Sequence, residues 1–335
     1  MSANSSASLS TLEFTLLNAY QRGFPLLPRP FAALATQLDT DEQTVIGTLQ
    51  RLQQRGMISR VGAVFRPNVI GVSTLAALAV PTARVEEVAT IINGHPEVNH
   101  NYEREHHFNL WFVATAPSAE LLRGVLEDIE SASTCGSMLV LPMLEDYHID
   151  LGFDLAAQGG GINACRPARR PCHAPLSAPD RQLIAALQDG LPLVAHPFAQ
   201  LGMPEKVAIA TIARWLDEGV IKRFGVVVRH HELGYTANAM AVWDLPDGIA
   251  SEFGRCIAAT GKVTLCYRRQ RQLPEWHYNL FCMVHGKDRA EVEASVAALI
   301  DACGLAAYPH ALLFSRRRFK QHGARYAPLR EAVHG

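Results

Sequence analysis

The chain is written twice. GMISRVGAVFRPNVIG (56–71) aligns without a gap on GVIKRFGVVVRHHELG (219–234), a shift of 163, and GFPLLPRPFAAL (23–34) matches GLPLVAHPFAQL (190–201), a shift of 167. A near-constant offset over such a distance marks a duplicated unit. Whatever one half builds, the other must build too. The change in offset means that the second copy has lost four residues between its second and third helices.

Each copy opens with helix signals. Ser10-x-x-Glu13 and Ser177-x-x-Asp180 are capping-box starts, where hydroxyl and carboxylate satisfy free backbone N–H groups. In the first copy a second short helix follows Pro30-Phe31. Thr40-x-x-Gln43 starts a third, with Val45, Leu49 and Leu52 on one face and Gly56 as the stop. In the second copy Pro204 stands at the first position of the third helix, where a missing N–H costs nothing. Followed by the two-stranded MISRVGAVF, this order predicts a winged helix-turn-helix.

Each copy then continues strand, helix, strand, strand, helix, strand. In the first these are 74–80, 84–92, 98–104, 108–115, 118–132 and 138–143; in the second, 237–243, 248–259, 263–269, 277–285, 287–302 and 306–313. The predicted fold is therefore α+β, a tandem duplication of a winged helix-turn-helix plus a ferredoxin-like βαββαβ unit. The segments are 1–67, 68–155, a Gly-, Pro- and Arg-rich linker at 156–175, then 176–230 and 231–335. The sheet face turned away from the helices must meet water or a second sheet. The tandem copy supplies that sheet, and a pocket between the two follows.

Composition narrows the function classes. With 335 residues, 48% hydrophobic and 19% charged, the chain has ample core. It has neither an apolar run of 18 residues or more nor a basic segment leading into an apolar one at its start. No membrane contact is expected, and the location is read as cytoplasmic. Seven cysteines without regular spacing predict free thiols in a reducing compartment. Cys165 and Cys172 in the linker lack the partners of a metal site, so no metal is expected. A net charge of −1 supplies no field for nucleic acid. The two reading helices offer only Arg51 and Arg55, and Lys206 and Arg214 against Glu205, Asp217 and Glu218, too few cations to hold duplex DNA.

The chemistry concentrates in VNHNYEREHHFNLWFVA (98–114). Period-2 alternation puts His100, Tyr102 and Arg104 on one face of the first strand, with Asn109 and Trp111 on one face of the second and Phe108, Leu110 and Phe112 on the other. His106 and His107 sit at the turn. The pattern returns in VTLCYRRQRQLPEWHYNLFCMVHG (263–286), where Tyr267, Arg269 and Asn279 replace Tyr102, Arg104 and Asn109, and five extra residues widen the turn. Arg268, His277 and His285 add to it. Arginines on a partly apolar face want anions, and the guanidinium fork suits carboxylates. Histidine moves protons near neutral pH. Together they describe a pocket for a large, flat, polycarboxylated ligand. Arg60 and Arg66 recur as Arg223 and Arg229 and are further carboxylate contacts on this reading, while Arg316-Arg317-Arg318 reads as a solvated edge.

These residues carry a resemblance. The winged-helix plus βαββαβ plan resembles Lrp/AsnC-type regulators. HNYEREHHFNLWF with LEDYHIDLGFDL (144–155), and CYRRQ with WHYNLFCMVHG, resemble the siroheme decarboxylases, with the NirD/AhbA and NirL/AhbB subunit types fused in one chain. The resemblance covers almost the whole chain. It implies loss of CO2 from the C12 and C18 acetates of siroheme, giving 12,18-didecarboxysiroheme for heme d1 or an alternative heme. No added cofactor is implied, since iron enters with the substrate.

It also implies roles. His100, His106 and Tyr102 form the catalytic set, with a histidine as the acid that quenches the carbon left by CO2. Arg104, Asn109, Trp111, Tyr267, Arg269, His277 and Asn279 bind substrate, and Trp111 and Phe281 form an apolar wall. In the second subunit type a histidine precedes the Cys-Tyr pair and a proline follows the Trp; here those positions are Leu265 and His277. Either the imidazole has moved across the hairpin to His277, or copy two has no catalytic role. The implied partners are siroheme, a second copy in a homodimer, and other heme d1 proteins. Two other readings use the same pocket: a tetrapyrrole-sensing regulator of the Lrp/AsnC type, and a subunit that only delivers the tetrapyrrole.

Overall fold

The computed structural model describes residues 9–66, 68–149, 176–229, 236–324 and 326. The linker with Cys165 and Cys172, and the end of the LEDYHIDLGFDL motif, lie outside them. The first copy forms α1 (Thr11–Ala19), α2 (Pro30–Gln37), α3 (Glu42–Gln54), β1 (Ile58–Phe65), β2 (Val72–Leu78), α4 (Val85–Gly94), β3 (Val98–Arg104), β4 (Leu110–Ala116), α5 (Ala119–Ser133) and β5 (Leu139–Ile149). The second forms α6 (Ala178–Leu187), α7 (Glu205–Asp217), β6 (Ile221–Val228), β7 (Ala237–Trp243), α8 (Ala250–Ala259), β8 (Leu265–Arg269), β9 (Leu280–Gly286), α9 (Arg289–Cys303) and β10 (His310–Gln321).

Both capping boxes form: Ser10 with Glu13, and Ser177 with Asp180. Asp41, not Thr40, caps α3, because its carboxylate reaches the Thr44 N–H at 2.8 Å. Pro204 precedes α7 as its cap residue rather than opening it. The four lost residues leave no second α-helix in copy two, only a 3₁₀ turn at Phe198–Gln200.

The expected two-stranded wing is one strand per copy. β1 pairs antiparallel with β6 of the other copy, and Gly62 faces Gly225 at the centre of the ribbon. Crossing chains need that centre bare: a Cβ on Gly225 would run into the backbone of Tyr20 and Gln21, and one on Gly62 would stand 3.1 Å from Gly190 Cα. The two helix-turn-helix segments therefore share one core, from Leu16, Phe31 and Leu49 to Leu187, Ile212 and Trp215.

The two ferredoxin-like sheets do more than face each other. They close edge to edge into an eight-stranded barrel, β10-β3-β4-β2-β5-β8-β9-β7. The last strand of each unit outruns its predicted length because it serves both sheets. β5 pairs with β2 through Leu139–Pro142 and with β8 through Met143–Ile149. β10 pairs with β7 through His310–Phe314 and with β3 from Ser315 on. Along that seam Arg317 pairs with Glu103 and Glu86, and Arg316 with Glu105, so the arginine run is solvated, as read, and also carries ion pairs across the seam.

Alternation then sorts the strands. Outward residues such as Leu110 and Phe112, or Leu280 and Cys282, seat α4 and α5, or α8 and α9. Inward ones, among them Leu75, Trp111, Met240 and Phe281, fill the barrel. Phe108, expected outside, sits inside, because it precedes β4 in the turn and escapes the strand's alternation. Cys256 of α8 and Cys303 of α9 are joined by a disulfide, against the expectation of free thiols, since the two helices bring their Cα atoms within 5.9 Å.

Candidate active site

A register shift between Val98 and His100 turns the first residue of β3 outward and the next members of the motif inward. Asn101 bonds to Asn93 of α4 at 3.1 Å, and Glu103 faces the seam. His100, Tyr102 and Arg104 point into the barrel with Trp111, which lies opposite Tyr102. Burial deepens along the strand: His100 and Tyr102 are partly open and Arg104 is buried. In copy two Leu265, Tyr267 and Arg269 follow the same gradient. The barrel is packed like a cup, half-buried at the His100 end and fully buried where the hairpins turn.

The two arginines are arranged by the duplication. Arg104 Nη1 donates to Leu313 O at 3.0 Å in the last strand of copy two, and Arg269 Nη1 donates to Leu141 O at 2.6 Å in the last strand of copy one. Each lies over its own tyrosine, Arg104 Cζ at 5.5 Å from the Tyr102 ring and Arg269 Cζ at 4.5 Å from the Tyr267 ring. Neither forms an ion pair with a carboxylate among the described residues. Burial pulls the Arg104 guanidinium down to about 10 and lowers that of Arg269. A buried cation without a counter-charge is costly, and a ligand carboxylate brings relief of that cost with it.

The closed end is aromatic. Trp276, from the widened turn of copy two, is 1% exposed. Its ring centroid is 5.0 Å from Trp111, 5.4 Å from His106 and 6.1 Å from Phe281. Counting back from the matched asparagines, copy one carries His106 at this place, and the sequence signal for Trp276 is a lone tryptophan in the longer turn. Because Trp276 turns in, His277 turns out: it is exposed, and its carbonyl accepts from Arg271 Nε at 2.7 Å. It does not join Tyr267 and Arg269.

His106 is also at this end, with Nδ1 accepting from the Phe108 N–H at 3.1 Å. Burial, then His107, lowers its pKa. His100 and His106 thus stand at opposite ends of β3 and are not brought together. The asparagines are occupied elsewhere. Asn109 clasps the backbone of Val80 with both amide atoms at 2.8 Å, and Asn279 does the same to Leu245 at 3.1 and 2.9 Å. They hold the exits of β2 and β7, and through those the hairpins.

Comparison with known proteins places this geometry. A model of the AsnC-like ligand binding domain matches residues 70–148 and 232–320, and one of the siroheme decarboxylase NirDL-like HTH domain matches 13–58 and 180–222. The siroheme decarboxylase NirDL subunit of Paracoccus denitrificans (strain Pd 1222) is 42% identical over 326 residues, 96% of this chain and 99% of that one. The chain belongs to the siroheme decarboxylase family. A crystal structure of a siroheme decarboxylase NirDL superposes with a TM-score of 0.68 at 29% identity, covering 94% of each chain. One of NirDL in co-complex with an iron-uroporphyrin III analogue gives 0.67 at 28%, covering 94% of this chain and 93% of that one. The tandem Lrp/AsnC-like plan is thus the family's own.

In this family member the His100 end of the cup faces the β1–β6 ribbon. Arg66, just past β1, reaches Asp146 of β5 at 3.4 Å, and the backbone N–H of His322 donates to Asn99 O at 2.9 Å beside the mouth. Arg60 and Arg223 lie within the ribbon, donating to Ala63 O and Val226 O, and burial brings Arg223 down to about 9. Burial first, then His322, pushes the His100 imidazole down to about 4, so it is neutral at pH 7.

His148 of β5 behaves alike. It is 6% exposed, and burial, then Lys222 and Arg22, push it down to about 4. On unfolding it recovers an ordinary affinity for protons. The folded state is therefore disfavoured as pH falls from about 6.5 towards about 4, by on the order of 3 kcal/mol for a full shift. Urea midpoints measured between pH 7 and 4.5 should fall with pH, and His148→Gln should make that slope shallower without abolishing it, since His100 and His285 are held down in the same way. An unchanged slope in the variant would show that His148 titrates normally in the folded chain.

Proposed function

We propose that this chain decarboxylates siroheme at its C12 and C18 acetates, giving 12,18-didecarboxysiroheme, and that the reaction takes place at the mouth of the barrel. The observation that carries this reading is the pair of duplicated Tyr–Arg units, two buried guanidiniums without carboxylate partners inside an aromatic cup. An eight-stranded barrel has room for side chains or a small ligand part, not for a whole macrocycle lying flat. The disc sits across or edge-on in the mouth, with an acetate directed towards His100, Tyr102 and Arg104. Trp111 and Phe281 keep the interior apolar, which strengthens each Arg–carboxylate contact.

The chemistry balances without a redox partner or an added cofactor. The bond between the side-chain CH2 and its carboxylate breaks, CO2 leaves, and the bonding pair stays on carbon, spread into the macrocycle. A proton then converts that carbon to a methyl group. The iron belongs to the substrate. His100 is the imidazole at the mouth on the copy-one wall, and an arriving carboxylate raises its proton affinity, so binding itself takes up the proton that the reaction uses. Asn109 and Asn279 act by positioning the hairpins.

The chain works in the cytoplasm on the way to heme d1, as a homodimer that hands its product to a later enzyme of that route. Duplex DNA is not a partner on this reading. Both wings are used in the ribbon, Arg55 pairs with Glu13, and Arg214 pairs with Asp180 and Glu218. The test is anaerobic incubation with siroheme, following product mass. Loss of two CO2 is expected. A shifted Soret band at unchanged mass would instead make the chain a carrier or a sensor.

A further inference from the structure

Compared position by position, the two copies differ where it matters for proton transfer. At the place of His100, β8 carries Leu265, which has no proton to give. The imidazole reappears on the neighbouring strand. In β9, Phe281 and Met283 face the barrel while Leu280, Cys282 and Val284 face the helices, so His285 faces the barrel too. The equivalent residue of β4 is Thr115.

His285 is held in one orientation. Its Nδ1 is 3.2 Å from Thr264 Oγ1, and that hydroxyl also lies 3.3 Å from Met283 O. A hydroxyl has one proton, and the carbonyl can only accept it. With the hydroxyl proton on Met283 O, Nδ1 is the N–H of the neutral ring, donating to Thr264, and Nε2 is the basic nitrogen; this is the tautomer the proposal uses. Asn238 of β7 lies opposite it, with Oδ1 accepting from Ser315 Oγ of β10 at 2.7 Å, and Arg104 of β3 is the charged group that acts on it. Burial first, then Arg104, brings the imidazole to about 4, so that it too awaits an anion.

Two acetates on different pyrrole rings of a rigid disc cannot both reach one imidazole unless the disc leaves and rebinds turned. β3 and β9 are separated by β10 and β7 along the wall, three strand spacings or roughly 14 Å. We propose that His285 is the proton donor for the second decarboxylation, serving the second acetate from the β9 wall, while His100 serves the first from β3. Nε2–H passes its proton to the side-chain carbon as CO2 departs, and water restores it. This assignment rests on the decarboxylase reading above.

The experiment is anaerobic siroheme turnover by wild type and His285→Gln, with products resolved by mass over time. Glutamine can keep a hydrogen bond to Thr264 but cannot deliver a proton. The variant should accumulate the product that has lost one CO2, its second step slowed about 10²–10⁴-fold relative to its first. Thr264→Val, which frees the ring to change tautomer, should slow the same step several-fold and weaken its pH dependence, and it guards against a His285→Gln variant that does not fold. Loss of both CO2 at the wild-type ratio of rates, or equal slowing of both steps, would overturn the assignment. A wild type that releases no CO2 would instead overturn the reaction itself, and this inference with it.

Discussion

Replacing His100 with alanine is expected to lower the rate of the first CO2 loss from siroheme by about 10²–10⁴-fold, the usual worth of a positioned general acid. His106→Ala is expected to lower it less than about tenfold, because His106 stands at the closed end of the cup with Nδ1 engaged by the Phe108 N–H. The pH profile separates chemistry from damage. In the free protein His100 is protonated only as pH falls towards about 4. If its protonated form is required, kcat/KM rises as pH is lowered from 8 towards 5, and His100→Ala loses that limb. A conservative control is His100→Gln, which should keep siroheme affinity while losing turnover. Equal losses in the His100 and His106 variants would remove the distinction between mouth and floor, and a larger loss in His106→Ala would move the acid to the other end of β3.

Much of this arrangement is legible in the amino-acid order, and the parts that are not have physical reasons. Alternation alone puts His100, Tyr102 and Arg104 on one face, because a strand's period is a backbone property. The inward turn of that face follows once a second sheet exists to meet it. Barrel closure is not legible, since nothing in LEDYHID or SRRRFKQ says that a strand will pair on one side with its own sheet and farther along with the other. The arginines at 316 and 317 are surface, as they look, but their pairing with Glu103, Glu86 and Glu105 across the seam is not legible from the run itself. The wings mislead similarly, for MISRVGAVF has the composition of a hairpin but pairs with its own duplicate. For Asn109 and Asn279 the position was readable and the task was not: an amide near an arginine suggests a ligand contact, yet both hold a neighbouring backbone segment. His277 shows the cost of reading one residue in isolation. Its direction is decided by Trp276, which has far more apolar surface to remove from water.

That trade sets the second large expectation. Trp276→Ala should destabilise the fold by about 3–5 kcal/mol, the range for deleting a large buried aromatic that its neighbours cannot replace. Its Nε1 has no hydrogen-bond partner among the described residues, so the loss is one of packing against Trp111, Phe281, Tyr278 and His106 rather than of a polar contact. Trp276→Phe should therefore retain most of the stability, and urea midpoints of the two variants measure the difference. A Trp276→Ala midpoint equal to wild type would mean that the floor is solvent-filled and that the cup is a tube. The reason to expect otherwise lies in the duplication itself. The interior of an eight-stranded barrel is just wide enough for side chains to fill. Two copies with equal turns would send either two plugs or none. The five extra residues in the second hairpin break that symmetry, so that copy two sends the large plug, Trp276, and copy one the smaller Phe108 beside it.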